Sequence, residues 1–213
     1  MTILNINEVK IKWYGHASFK LEHKGRKIFI DPYEIKTDEK ADIILSTHGH
    51  YDHCSIKDIK KLTKQDTEIV ITADSMSKIA HKIPTGNSRI AKPGDEFEIK
   101  KTTIKAVPAY NIDKQFHPKE NQWVGYLIRI NNLSFYHAGD TDFVPEMKKI
   151  NTDVVMIPVG GTYTMDPKQA AEAVNIMQPK ISIPMHYGKI VGKPDDAELF
   201  KKLCNTKVKI MTQ

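Results

Sequence analysis

The segment at residues 48–53 constrains this chain more than any other part of its sequence. It holds three histidines and an aspartate within six positions. The apolar run at residues 43–45 precedes it and is typical of a short buried strand. Residues 55–58 then have the spacing of a helix N-terminus, ahead of apolar residues on a helical period. The segment is therefore predicted to be a loop between a strand and a helix, where α/β folds place functional residues.

The residue types in this loop are those that bind divalent transition metals. Alternate side chains of an extended segment share a face, so His48 and His50 could reach one ion together, and Asp52 and His53 could reach a second after a turn. Neutral imidazole and carboxylate suit zinc, manganese or iron. Gly49 is expected to let the backbone bend sharply between two ligands. A polar surface loop with chance histidines is the weaker interpretation, because residue types, spacing and context all agree.

The His-x-His-x-Asp-His pattern of residues 48–53 resembles the signature of the metallo-β-lactamase superfamily. The resemblance implies an α/β fold, a four-layer αββα sandwich with a metal site along its edge. It also implies that His48 and His50 bind a first metal, and that Asp52 and His53 bind a second. Histidine at position 50 is similar to the hydrolytic branches, whereas an acidic residue stands there in the di-iron flavoprotein branch.

Two later segments resemble the remaining ligand positions of the superfamily. Asp140 follows a glycine at the end of a predicted strand, where the family places a carboxylate that bridges both metals, and bridging needs the two oxygens of a carboxylate. His186 follows the last core strand and would be the final ligand of the second metal. The implied cofactors are two divalent ions, zinc first, with manganese, iron or nickel as alternatives.

One position departs from the family pattern. In the branch that this chain resembles, a Pro-Ala-x-His segment supplies the last ligand of the first metal, and here residues 108–110 lead to Asn111. Three outcomes stay open. Asn111 ligates weakly, His117 reaches in from the following loop, or the first site holds metal loosely.

Three more residues are candidates for contact with substrate. His16 lies in a Gly-His-Ala-Ser-Phe segment similar to that of the branch that includes ascorbate-6-phosphate lactonase, and a turn histidine that satisfies backbone groups is an equal alternative. Tyr163 and Thr164 lie in a glycine-rich connection ahead of a helix predicted to start at Asp166. A plain connection without a ligand is equally compatible with that pattern. Asp31 is expected to support the loop backbone rather than bind metal.

The composition is ordinary for a soluble globular protein, with 213 residues, of which 40% are hydrophobic and 27% are charged. One domain covering residues 1–213 is expected. Cys54 and Cys204 imply no disulfide framework, so a cytoplasmic location is expected, and no segment is predicted to be a signal peptide or to span a membrane. The net charge of +6 fits an anionic small-molecule substrate. Lysines scattered over a solvated surface are the favoured explanation of the charge, and a homo-oligomer is possible.

The predicted function is metal-dependent hydrolysis of a small anionic ester, lactone or phosphate-containing substrate, with Asp52 and Asp140 as the catalytic carboxylates. A phosphodiesterase or nuclease of the same fold is the first alternative. Nuclease branches usually carry an inserted domain or a substrate-gripping arm that this chain lacks, so nucleic acid is not the expected partner. A non-catalytic metal-binding module is the second alternative, in which Asn111 would mark decay of the first site.

Overall fold

The computed structural model describes residues 2–83 and 86–213, and these divide into two compact units. The first unit comprises the described residues up to Ala91 together with Thr212 and Gln213. The second unit comprises Lys92–Met211. Each unit carries one seven-stranded sheet. None of the helices in the described ranges has the length and apolar character to cross a membrane.

In the first unit the strands of the sheet follow sequence order. Its elements are β1 (Ile3–Ile6), β2 (Val9–Gly15), β3 (Ser18–His23), β4 (Arg26–Ile30), β5 (Ile43–Ser46), α1 (Ile56–Leu62), β6 (Glu68–Ile71), α2 (Ala73–Ile79) and β7 (Ser88–Ile90). Strands β1 to β4 pair antiparallel, and β4 to β7 pair parallel. Each parallel step needs a crossover, and α1 and α2 supply two of them.

Both helices of the first unit bury their apolar side chains in one core. Ile59 and Leu62 of α1 and Ile79 of α2 pack with side chains of the parallel strands, among them Ile44 and Ile69. Burying each such aliphatic side chain contributes about 1.5–3 kcal/mol.

The two helices of the first unit begin differently from one another. The side chain of Ser55 caps α1, as its spacing predicts, by accepting the N–H of Asp58. Helix α2 starts at Ala73 with Thr72 as its N-cap, and the Thr72 side chain makes no capping hydrogen bond.

The second unit has the same order of pairings. Its elements are β8 (Glu96–Ile99), β9 (Thr102–Pro108), β10 (Val124–Ile130), β11 (Leu133–His137), β12 (Val154–Pro158), α3 (Pro167–Met177), β13 (Ile181–Met185), α4 (Pro194–Leu203) and β14 (Lys207–Val208). Strands β8 to β11 pair antiparallel, and β11 to β14 pair parallel. Asp166 caps α3 in a capping box with Gln169, which confirms the predicted helix start.

The strand directions bring several carboxyl ends together at one edge of each sheet. In the first unit β2, β4, β5 and β6 all run the same way, so their carboxyl ends share an edge. In the second unit β9, β11, β12 and β13 do the same. Carboxyl ends of strands are the usual location of ligand sites in such sheets. The loops that leave these two edges carry the predicted site residues.

Candidate metal centre

The loop at residues 47–53 is the metal loop of the first unit, and a buried carboxylate anchors both of its ends. Asp31, at the end of β4, accepts the backbone N–H of Thr47 at 2.7 Å through Oδ1. Its Oδ2 lies 2.8 Å from the Thr47 hydroxyl and 2.8 Å from His53 Nδ1. A carboxylate at Nδ1 fixes the ring of His53 with Nε2 as the outer nitrogen, the arrangement typical of metal-binding histidines. The expected role of Asp31 as loop support agrees with this geometry.

The three histidines of the metal loop lie against one another. The ring centroid of His48 lies 4.6 Å from that of His50 and 4.1 Å from that of His53. His48 Nδ1 is 3.0 Å from the Thr47 hydroxyl, and His48 Nε2 is 3.0 Å from His50 Nδ1. Two nitrogens bound to one zinc at about 2.0–2.1 Å lie roughly 3.3 Å apart at a tetrahedral angle. The nitrogens of His48 and His50 are therefore spaced as ligands of one ion.

Gly49 is needed for space and not for an unusual backbone angle. The backbone bends at Gly49, as expected, but its φ is not positive, so the backbone angle itself does not require glycine. A Cβ at Gly49 would lie 2.3 Å from Asp74 Oδ2, because that oxygen accepts the N–H of Gly49 at 2.9 Å. Lys78, one turn further along α2, donates to the carbonyl oxygen of Gly49. Helix α2 thus holds both polar groups of this residue, between the first two histidines.

Asp52 is paired with the histidine that precedes β3. His16 Nε2 lies 2.9 Å from Asp52 Oδ2, and both residues are buried. The carbonyl oxygen of His16 accepts the indole N–H of Trp13 at 2.9 Å, in a turn where His16 has a φ of 51°. Asp52 Oδ2 is also 3.8 Å from His53 Nε2. His16 therefore touches a predicted catalytic carboxylate, and its proposed contact with substrate stays a prediction.

In the second unit one carboxylate oxygen faces two imidazoles. Asp140 Oδ2 lies 2.9 Å from His186 Nε2 and 3.3 Å from His117 Nε2. All three side chains are buried, with exposed fractions of 4% for Asp140 and 1% for each histidine. The spacings are again those of ligands around shared ions.

The loop that carries Asp140 is fastened to the loop that follows β9. The Thr141 hydroxyl lies 3.1 Å from both the N–H and the carbonyl oxygen of Tyr110. Asp142 Oδ2 accepts the N–H of Ile112 at 2.9 Å, and Oδ1 pairs with Lys114. His137, at the end of β11, is fully buried and accepts the N–H of Gly139 at 3.3 Å.

Asn111 and His117 lie together in the loop between β9 and β10. Asn111 Oδ1 is 3.0 Å from the backbone nitrogen of His117 and 3.1 Å from its Nδ1. Asn111 Nδ2 donates to the carbonyl oxygen of Tyr163 at 2.9 Å. The ring of His117 packs edge-on against Trp123, with centroids 5.4 Å apart.

Tyr163 and Thr164 differ in what their side chains meet. The ring of Tyr163 packs edge-on against that of Phe116, with centroids 4.7 Å apart. The carbonyl oxygen of Tyr163 accepts a hydrogen bond from Asn111 Nδ2. The Thr164 hydroxyl is buried and makes no hydrogen bond within the described ranges. Both remain predictions as contacts for substrate.

Cys54, next to His53, is a buried thiol of low reactivity. Its exposed fraction is 3%. Burial raises the pKa of this thiol, so its thiolate form is disfavoured. The environment favours a packing role for Cys54 over a redox-sensitive one.

Several residues that shape the site carry no recognisable signal in the sequence. Asp74 and Lys78 read as ordinary polar positions of a short helix, and Thr141 and Asp142 read as a continuation of the Asp140 loop. Their partners lie 25 to 31 positions away in the chain, for example Gly49 for Asp74 and Tyr110 for Thr141. Only an independent prediction of strand order could have placed these pairs together.

The donor set of the first unit is His48, His50, Asp52 and His53, and that of the second unit is His117, Asp140 and His186. Both sets fit a divalent metal of intermediate softness. Both sets consist of imidazoles and carboxylates without thiolates, all buried except the half-buried His50, and the contacts of His53 with Asp31 and of His117 with Asn111 turn Nε2 outward. Such outer contacts are what fix histidine ligands in metal sites. The chemistry suits zinc, manganese or iron.

Comparisons with known proteins agree with this chemistry. A family model described as "Beta-lactamase superfamily domain" matches residues 10–186. A UPF0173 metal-dependent hydrolase of Koribacter versatilis is 34% identical over 224 residues, which cover 95% of each protein. The crystal structure of a candidate metal-dependent hydrolase from Parabacteroides distasonis aligns with a TM-score of 0.84 at 33% identity, covering 98% of this chain and 96% of that one. A candidate Zn-dependent hydrolase of the metallo-β-lactamase superfamily from Thermotoga maritima aligns with a TM-score of 0.65 at 26% identity, covering 95% of this chain and 98% of that one.

The chain therefore belongs to the metallo-β-lactamase superfamily and, within it, to the UPF0173 family of metal-dependent hydrolases. The predicted superfamily, the metallo-β-lactamase-type fold and the class of metal-dependent hydrolase are confirmed. In this chain the fold consists of two mixed seven-stranded sheets with their helices.

Proposed function

We propose that this hydrolase uses two divalent metal ions, zinc first, to hydrolyse a small anionic ester, lactone or phosphate-containing molecule. The proposed ligands come from both donor sets, and the family model supports combining them because it spans both sets in one match. They are His48, His50, Asp52, His53, Asp140 and His186. The observation that carries the proposal is the short distance between buried donor atoms. Above all, the carboxylate of Asp140 lies within 3.3 Å of two imidazole nitrogens.

Bound divalent metal would supply Lewis acidity and make water nucleophilic near neutral pH. The residues of the chain do the remaining work. Asp52 is the proposed proton acceptor, because its carboxylate lies at the predicted site and His16 holds it in one orientation. Asp140 would hold metal together with the two histidines that its Oδ2 faces, and it keeps them at their spacing.

The substrate is proposed to be small and to enter beside the loop after β9. A cavity of about 600 Å³ lies in the second unit. Its lining includes Tyr110, Asn111, Ile112, Lys114 and Lys119. The size suits a metabolite, since small-molecule sites usually enclose about 300–1,000 Å³. The ammonium group of Lys114 is paired with Asp142, so the proposed preference for an anion is supported mainly by the net charge of +6.

A phosphorylated lactone is one candidate substrate. It is suggested by the similarity of the Gly-His-Ala-Ser-Phe segment to the branch that includes ascorbate-6-phosphate lactonase. Lactones, carboxylic esters and phosphodiesters all present an electrophilic centre to an activated water, so a panel of all three classes is the suitable first screen.

The experiment that tests this function combines metal analysis with that panel. The protein is purified without chelators, and bound metal per chain is measured by mass spectrometry. We expect about two equivalents of metal and hydrolysis of at least one substrate class, lost on chelation and restored by zinc. Asp52→Ala is expected to lose metal and turnover together. Near-wild-type turnover in that variant, or a wild type that binds no metal, would contradict the proposal.

A further inference from the structure

The amide of Asn111 has one possible orientation. Its Oδ1 lies 3.0 Å from the backbone nitrogen of His117, which can only donate, and its Nδ2 lies 2.9 Å from the carbonyl oxygen of Tyr163, which can only accept. A flipped amide would face a donor with a donor and an acceptor with an acceptor. The oxygen of Asn111 therefore faces His117.

This orientation fixes the tautomer of His117. Nδ1 of the ring is 3.1 Å from Asn111 Oδ1 and 3.2 Å from the carbonyl oxygen of Tyr163. Because both neighbours are acceptors, Nδ1 must carry the proton, and in the neutral ring Nε2 holds the lone pair. That nitrogen is the one directed at Asp140, 3.3 Å from its Oδ2.

The same contacts occupy the oxygen of Asn111. It accepts from both the backbone nitrogen and Nδ1 of His117, which uses both lone pairs of an amide oxygen. The backbone closes the loop as well, since the N–H of Asn111 donates to the carbonyl oxygen of His117 at 2.7 Å. Asn111 is thus built into the support of His117 and has no oxygen lone pair left for a metal.

We infer that His117 is the imidazole ligand of the first metal and that Asn111 is the positioning residue that orients it. The inference rests on the proposed function and resolves its one departure from the family pattern. The histidine expected at position 111 is replaced by a histidine six positions later, and the asparagine left behind takes the role of an outer contact. Removing such outer contacts of metal-binding histidines typically lowers metal affinity about 10–100-fold.

Variants at the two positions separate ligand from support. In His117→Asn the new amide can still donate toward Asn111, but it has no counterpart of Nε2. In Asn111→Ala the imidazole remains and loses one of its two acceptors, so that only the carbonyl oxygen of Tyr163 still faces Nδ1. His81→Asn is the matched control, because His81 is an exposed histidine outside both donor sets, and asparagine tolerates its positive φ of 64°.

Bound zinc per chain and zinc affinity by chelator competition are measured for each variant. We expect His117→Asn to fall from about two equivalents to about one, whereas Asn111→Ala keeps both ions and binds one of them roughly 10–100-fold more weakly. His81→Asn is expected to match the wild type. Side-chain ¹⁵N NMR of the zinc-loaded protein should show His117 with its proton on Nδ1, and a larger share of the other tautomer in Asn111→Ala, where the carbonyl oxygen of Tyr163 is the remaining acceptor.

Two results would overturn the inference. One is His117→Asn retaining both ions. The other is Asn111→Ala losing an ion outright while its His117 tautomer stays unchanged, which would make Asn111 the ligand. A wild type without stoichiometric metal would instead count against the proposed function, so the two failures are distinguishable.

Discussion

The first unit presents four predicted ligands within six consecutive residues, whereas the second unit assembles three donors from three separate loops. In the first unit the metal loop is held by residues outside it, namely Asp31 after β4 and the side chains of helix α2. In the second unit the loops hold one another, through Thr141 with Tyr110 and Asn111 with His117. A contiguous motif is therefore easy to see in a sequence, and a dispersed one depends on the order of the strands.

The largest effect is expected at Asp140, because the dispersed donors share it. Asp140→Ala leaves His117 and His186 without their common carboxylate. We expect less than one equivalent of bound metal and a fall in kcat/KM of about a thousandfold, roughly 4 kcal/mol of transition-state stabilisation. Metal analysis and kinetics on the best substrate of the panel measure both. A variant that keeps two ions would show that the carboxylate does not bridge.

Asp31→Ala tests the support of the contiguous motif. The change leaves the backbone N–H of Thr47 and Nδ1 of His53 without their buried acceptor. We expect a loss of about 2–4 kcal/mol in the free energy of unfolding, because unsatisfied buried donors are costly. Metal affinity should fall about 10–100-fold. Urea denaturation and chelator competition measure the two effects, and unchanged affinity would mean that the loop is rigid without Asp31.

Gly49 and Asp74 test whether α2 shapes the metal loop. Gly49→Ala places a methyl group against the Asp74 carboxylate and should cost about 1–3 kcal/mol of stability. In the Asp74→Ala background that obstacle is gone, so the cost of the alanine should shrink, with a coupling energy of about 1 kcal/mol or more. A double-mutant cycle in urea denaturation measures it. Equal costs in both backgrounds would mean that another contact excludes the side chain.

The contrast between the units also explains what sequence alone could predict. The metal loop, the Ser55 cap and the helix start at Asp166 follow from short-range patterns, and the structure has all three. Strand β1 was not predictable from its pattern, because its side chains alternate between exposed and half-buried and none is fully buried.

Long-range partners account for the remaining differences. Asp74 has the pattern of an ordinary polar position in a short helix, yet its carboxylate accepts from the N–H of Gly49 and from the Thr72 hydroxyl. The partnership of Asn111 with His117 was equally open in the sequence, since an asparagine at a ligand position reads as a lost ligand. The positions of the His117 backbone nitrogen and the Tyr163 carbonyl oxygen show that the amide of Asn111 is oriented to support His117.

The smallest effect is expected at Asp153, which belongs to the second unit but lies at the amino end of β12, away from the donors. Its carboxylate accepts from the backbone and hydroxyl of Ser134 at 2.9 Å and from Lys180 at 2.7 Å. Burial alone would raise the pKa of this carboxyl, but the hydrogen bonds from Lys180 and Ser134 outweigh it and lower the pKa below 3.8.

Because the folded-state pKa of Asp153 is lowered, its stabilisation is complete above the ordinary pKa and is lost as the pH falls through the folded value. We expect Asp153→Asn to cost about 1 kcal/mol at neutral pH, with the difference from wild type shrinking below pH about 4. Lys180→Ala, which removes only the exposed partner, should cost less. Metal content should stay at the wild-type level in both variants. A loss of metal in Asp153→Asn would mean that the donors of the second unit depend on the whole sheet and not on the loops that fasten them.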